Sequence, residues 1–132
     1  MPLNKLFEGS SIRGTAGVYP LTAENLLRVG LALCILMVIE EREPLMCVNE
    51  LNFCTMSLAV GFMNGGGDVI VGTQDCSLNV IYKQEENFQE LVFIGLSEED
   101  KLKLESILYS RYNMPKKEGN QVGRLWIQES RP

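Results

Sequence analysis

Residues 7–30 read FEGSSIRGTAGVYPLTAENLLRVG, and the second half of this stretch opens the helix around which the chain is organised. Thr22 is placed to cap it, because a threonine oxygen accepts from the unbonded N–H groups of a first turn. Glu24 then sets a carboxylate at the positive end of the helix dipole. Pro44 cannot continue a helix, so the spacing predicts one over residues 23–42. Within it Val29–Ile39 reads VGLALCILMVI, eleven residues without a charge. A bilayer span needs about 20 apolar residues, so this is the pattern of a deeply buried helix. A helix on one side of a sheet shows a polar outer face, whereas one that is apolar all round needs cover on both sides. That requirement points to a partner, most simply a second copy docking on the helix at 23–42.

Outward from this helix, strands and helices alternate. Leu45–Asn49 reads as a short apolar strand, Thr55–Met63 as a second helix ended by the glycines at 65–67, and Asp68–Val71 as the next strand. Asn64-Gly65-Gly66-Gly67 looks like a phosphate cradle, but no helix start follows it, so it reads as a helix end leading into a strand. Ser77–Tyr82 and Leu91–Ile94 are apolar runs separated by the polar KQEENFQE, the pattern of a hairpin. Ser97 followed by Glu98, Glu99 and Asp100 starts a helix over 98–111 whose buried stripe is Leu104, Ile107 and Leu108. MPKKEGNQ (114–121) is a loop, and Val122–Gln128 a last strand carrying Trp126. No repeat or low-complexity tract interrupts this order, so residues 1–132 are expected to form one α/β domain.

A net charge of −5 argues against a nucleic-acid surface, because neutralising phosphates takes clustered Lys and Arg and the only such run is Lys116-Lys117. The cysteines at 34, 47, 54 and 76 have no C-x-x-C spacing, and no histidine is present to complete a zinc site. They are expected to be reduced, mostly core thiols of a cytoplasmic protein. The opening MPLNKLFEG lacks the apolar core of a signal peptide, and no membrane segment is expected.

Ile12-Arg13-Gly14 and Tyr19-Pro20-Leu21-Thr22-Ala23-Glu24 resemble the opening of the phosphohexomutases, the phosphoglucomutase/phosphomannomutase family, whose chains start with F-G-T-x-G-I-R-G and then Y-P-L-T-P-E. Gly65–Ile70 is similar to the family's G-x-D-V-I strand entry, and Phe93–Leu108 to its F-x-x-x-L-S-x-E-D-E-x-K-I-E segment. Whole members carry four domains. The resemblance therefore implies the first domain alone, a three-layer α/β/α unit with a small mixed sheet. One departure matters. The family places a helix between the strand after G-x-D-V-I and the next one, whereas here only Gly72–Cys76 lies between Val71 and Ser77. A parallel crossover takes a dozen or more residues, so these two runs should not be adjacent parallel strands; an antiparallel hairpin is the simplest expectation.

The family's catalytic loop is T-A-S-H-N-P, and its serine carries the transferable phosphate. Aligning back from Leu91-Val92-Phe93 sets Tyr82 at the serine, Lys83 at the histidine and Val92 at the later lysine. An apolar side chain neither donates to phosphate nor moves a proton, so no catalytic residue is expected. An alternative register lays Cys76-Ser77-Leu78-Asn79 on A-S-H-N and restores a serine at Ser77 without a following base. Nothing resembles the D-G-D-G-D-R magnesium loop or the sugar-reading G-E-M-S-G-H element, so no cofactor is expected.

Arg13 matches the family arginine near the phosphoserine, which makes Ser10, Ser11 and Arg13 the anion-binding candidates; the alternative is an arginine paired structurally with a carboxylate. Asn49-Glu50-Leu51-Asn52 occupies the place of the family's R-D-T-R, with both arginines replaced by asparagine. Tyr82 is a conceivable phosphorylation site but reads as packing at a strand end. The resulting expectation is a non-catalytic relative of phosphohexomutase domain I acting through protein association, as a homo-oligomer. The alternatives are a separately encoded subunit that docks on the remaining mutase domains and a phosphosugar-binding module.

Overall fold

A computed structural model of the chain describes residues 6–72, 76–109 and 122–127. The elements in order are β1 (Ser11–Gly14), α1 (Ala23–Ile39), β2 (Leu45–Val48), α2 (Phe53–Asn64), β3 (Asp68–Val71), β4 (Leu78–Gln84), β5 (Gln89–Ile94), α3 (Glu98–Tyr109) and β6 (Leu125–Ile127). The strands form one mixed sheet in the order β1-β5-β4-β2-β3-β6. The loop at 114–121, and residues 110, 111 and 128, lie outside the described residues.

Each helix start is held by its own side chains. The Asn25 N–H donates to Thr22 Oγ1 at 3.1 Å. At α2, Asn52 Oδ1 accepts from the N–H groups of Cys54 and Thr55, while the Asn52 N–H donates to Thr55 Oγ1 at 2.9 Å. At α3, the Ser97 N–H donates to Asp100 Oδ2 and the Asp100 N–H donates to Ser97 Oγ, both at 3.0 Å. These exchanges satisfy donors that a helix cannot satisfy internally.

The first helix stops three residues short of the expected 42. Glu41 adopts φ 57°, and the N–H groups of Glu41 and Arg42 donate back to the carbonyls of Val38 and Met37. This is the closed turn that normally ends on glycine, here built on a glutamate. Arg42 then leaves the helix and donates from Nη2 to the carbonyls of Ser77 (3.3 Å) and Gly95 (3.2 Å). Its Nη1 stands 3.5 Å from Asp100 Oδ2. One guanidinium thereby joins the end of α1, the start of β4, the end of β5 and the cap of α3.

The apolar run in α1 is buried inside a single copy of the chain. α1 packs most extensively on α2 and also on α3, so it is the middle helix, with the sheet beneath it. Val29, Leu33, Cys34 and Met37 have no exposed surface. The expectation that this helix needs a partner is therefore corrected, because α2 and α3 supply the two flanks that the sequence could not assign to the same chain. On the α2 side the approach is set by two glycines. A Cβ at Gly30 would overlap the carbonyl oxygen of Leu58, and one at Gly61 would overlap that of Leu27. The helices meet backbone to backbone there, as small residues at a crossing allow.

The α/β class and the mixed sheet stand as expected. The core joins Leu26, Leu33 and Leu36 of α1, Leu58 and Phe62 of α2 and Leu104 of α3 to Ile12, Met46, Val48, Val69, Leu78, Val80, Leu91 and Phe93 of the strands. The strand pairing puts all of these strand residues on one face. No described helix covers the opposite face. There the register lines up Arg13, Glu90 and Lys83 in one row, Ser11, Val92 and Ile81 in the next, and Ile94, Asn79, Cys47, Ile70 and Trp126 in a third.

Two connections differ from expectation. β3 and β4 are not an antiparallel pair: both run parallel to β2, which lies between them. They are not adjacent, but a link of residues 72–77 does return the chain across β2. Val71 is level with Val48 and Leu78 with Met46, so the link recovers only two residues of height while crossing two strand spacings. That is roughly 12 Å, well within the reach of six residues. The rule of a dozen residues assumes that the crossover carries a helix. Second, Cys47 and Cys76 form a disulfide, so they are not the reduced thiols expected; Cys34 and Cys54 are buried outside it.

Substituting Gly61 with alanine should force α1 and α2 apart and cost about 3 kcal/mol or more, read as a lowered midpoint of urea unfolding. Burial by itself would raise the Asp100 carboxyl, but hydrogen bonds with Ser97 and Glu40 and the charge of Arg42 outweigh it and hold the group below its ordinary value of 3.8. Stability from this carboxylate is complete above that value and is lost as the pH falls through the lower folded one. The difference in thermal midpoint between wild type and Asp100→Asn should accordingly be clear at neutral pH and shrink below about pH 3.8.

Candidate functional site

In an open α/β sheet, ligands are usually taken outside the carboxyl ends of strands where successive crossovers leave in opposite directions. Here that point lies between β2 and β4, since the chain moves from β2 to β3 on one side and then returns past β2 to β4. The residues gathered there are Asn49 and Glu50 after β2, Asn52 and Cys54 at the start of α2, and Tyr82 on β4. The crevice is closed by Asn49. Its Nδ2 donates to the Tyr82 carbonyl at 3.1 Å and its Oδ1 accepts from the Tyr82 N–H at 2.8 Å. The amide thus acts as one more rung of the β2–β4 ladder.

Both asparagines that stand where the resemblance calls for arginine therefore have backbone roles, Asn49 between strands and Asn52 as the cap of α2. Tyr82 is paired with Leu91 inside the β4–β5 ladder and packs against the core. Loss of solvent raises its phenol, with nearby Cys54 and Glu50 adding in the same direction. Burial likewise raises the Cys54 thiol, the opposite of what a reactive cysteine needs. Lys83 lies opposite Glu90 on the other face, and the β4–β5 turn is tight, with the Glu85 N–H donating to the Phe88 carbonyl at 2.9 Å.

Ser11 and Arg13 lie on edge strand β1 and Ser10 in the turn just before it, but the arginine is engaged. Its Nε is 3.0 Å from Glu90 Oε2 and Nη1 is 3.7 Å from Glu8 Oε2. The guanidinium lies 4.3 Å from the centre of the Phe88 ring. Two carboxylates beside one cation oppose a further anion. Ser77 is remote from this group: it precedes β4, whose Lys83 shares a row with Arg13, so about 20 Å of strand separates them. The structure does not assemble Ser77, Tyr82 and Arg13 into one site. Asn64–Gly67 ends α2 and leads into β3, with Gly65 as the cap residue. Among the described residues, no group of three or more Cys, Asp or Glu side chains is placed to hold a metal ion, and no helix is long and apolar enough to cross a membrane.

What sequence reading missed is the edge strand β1 and the bridging role of Asn49. The first was hidden in the polar string SSIRG, and the second depends on a contact 33 residues away.

The fold is a small α/β unit with one mixed six-stranded sheet. No family model matches the chain, and no curated protein does. Among solved structures it is similar to a phosphoglucomutase/phosphomannomutase family protein from Burkholderia thailandensis, with a TM-score of 0.69 and 14% identity over 96% of this chain. The chain spans 33% of that protein's length, so the likeness is one of fold with a single part of it.

Asn49→Ala removes both side-chain bonds and leaves the Tyr82 backbone groups without those partners, at an expected cost of about 2 kcal/mol. Thermal unfolding will read it, and Asn49→Asp should recover part of the loss, because it keeps the acceptor for the Tyr82 N–H.

Proposed function

We propose that this chain is a non-catalytic relative of phosphohexomutase domain I that acts by association with a second copy of itself. The observation that carries the reading is the unbroken pairing of β4 through Tyr82 and Lys83, where the resemblance would set a phosphoserine loop. A nucleophile must project into a space that holds a phosphosugar, and a residue locked in a ladder beside a bridging asparagine cannot. The paired state of Arg13 weighs in the same direction and against a phosphosugar module at Ser10, Ser11 and Arg13.

The surface for association is the sheet face that no described helix covers, not α1. Ile94 and Trp126 are about half exposed there, at 54% and 52%, at the two ends of the row that also holds Asn79, Cys47 and Ile70, with Val92 and Ile81 in the next row. Two such faces stack at about 10 Å around a two-fold axis near β2, with Ile94, Ile70 and Trp126 among the side chains brought together. Six strands and about four residues of height give a face of roughly 29 by 13 Å. That is below the ~800 Å² per partner of a standard interface, so the dimer is weak, with a Kd of about 10 μM or higher.

Purified protein should show no phosphoglucomutase or phosphomannomutase turnover with magnesium and a bisphosphorylated sugar activator. Turnover abolished by Ser77→Ala would restore the enzymatic reading. In sedimentation, wild type should shift from monomer toward dimer between about 10 and 300 μM, and Ile94→Lys should stay monomeric with unchanged circular dichroism. A wild type that remains monomeric throughout removes the homo-oligomer.

A further inference from the structure

We propose that the Cys47–Cys76 disulfide is a reversible redox clasp that ties the approach to β4 onto β2, on the sheet face away from the core. The argument is independent of the functional reading above. Cys47 lies in β2 between Met46 and Val48, whose side chains enter the core, so its own points to the opposite face. Cys76 ends the connection that must pass β2, and the two Cα atoms are 6.2 Å apart. The bond closes a loop over the whole β2–α2–β3 unit, a sequence separation of 29.

Three features make this bond releasable without loss of the fold. First, the core lies on the other face, and neither cysteine belongs to it. Second, without the bond the described ends of the connection keep only light ties. The Gly72 N–H donates to the Val48 carbonyl at 2.8 Å, Asn79 Nδ2 donates to the Cys76 carbonyl at 2.7 Å, and Arg42 reaches the Ser77 carbonyl. Third, access is unequal, since Cys76 is partly exposed while Cys47 is 2% exposed.

Exchange with a dithiol reductant consequently starts at Cys76. A thiolate attacks its Sγ, the bond to Cys47 breaks, and the Cys47 thiolate takes a proton from water. The second thiol of the reductant, as thiolate, then displaces the Cys76 sulfur, which is protonated in turn. The products are two protein thiols and one oxidised dithiol, two electrons having passed to the protein. In the reduced state the row Ile94, Asn79, Cys47, Ile70, Trp126 is no longer crossed by a covalent tie.

The test uses the full chain, oxidised with glutathione disulfide or reduced with dithiothreitol, and follows amide hydrogen exchange. Peptide mapping should find Cys47 joined to Cys76 in the oxidised sample. On reduction the Gly72 amide should exchange about tenfold faster or more, while the amides of Leu33 and Leu36 in α1 keep their protection; reoxidation should restore the slow rate. Cys47→Ala/Cys76→Ala should exchange like the reduced protein whatever the redox state. The proposal is overturned if glutathione disulfide leaves both cysteines as thiols, or if reduction breaks the bond without changing Gly72. Loss of α1 protection on reduction, or failure of the double variant to fold, also overturns it, since either makes the bond a structural staple.

Discussion

Everything in this fold rests on the burial of α1 between two other helices and a sheet. The helix has no polar face to offer water from Val29 to Met37, so the domain is stable only if α2, α3 and the strands close around it together. Each buried aliphatic side chain contributes about 1.5–3 kcal/mol relative to exposure. That gain is available only because Gly30 and Gly61 let the two helix backbones touch. A sheet with its described helices on one side then follows, since α1, α2 and α3 must neighbour one another to cover the middle one.

The cost of that arrangement appears on the other face. With no described helix there, the β3–β4 link crosses β2 as a short segment whose ends are tied by a backbone hydrogen bond at Gly72 and a disulfide at Cys76. The face keeps Ile94 and Trp126 about half exposed. Exposed apolar patches usually mark interaction sites, which is why this face is the one proposed for association.

At the carboxyl edge, polar satisfaction replaces recognition. Asn49 and Asn52 each spend their side-chain oxygen on backbone N–H groups, and Arg13 is held by Glu90 and Glu8. Groups already paired within the chain have little left for a phosphate. The same residue positions that suggest a phosphosugar enzyme by their place in the sequence are thus occupied by internal contacts.

Local chemistry was legible in the sequence wherever the partners are close along the chain. The caps at Thr22 and Ser97, the strand at 68–71, the β4–β5 hairpin and the end of α2 at its glycines all depend on residues a few positions apart. The α/β class followed from their alternation. Contacts between distant residues were not legible. That α2 and α3 belong on the two sides of α1, that β2 lies between β3 and β4, and that Cys47 meets Cys76 are decided by pairings between residues far apart in the chain or by packing in three dimensions. The extra reach of the β3–β4 link shows the reason. Its length in sequence sets only an upper bound on distance, and the short, offset strands it joins exist only once the sheet has formed.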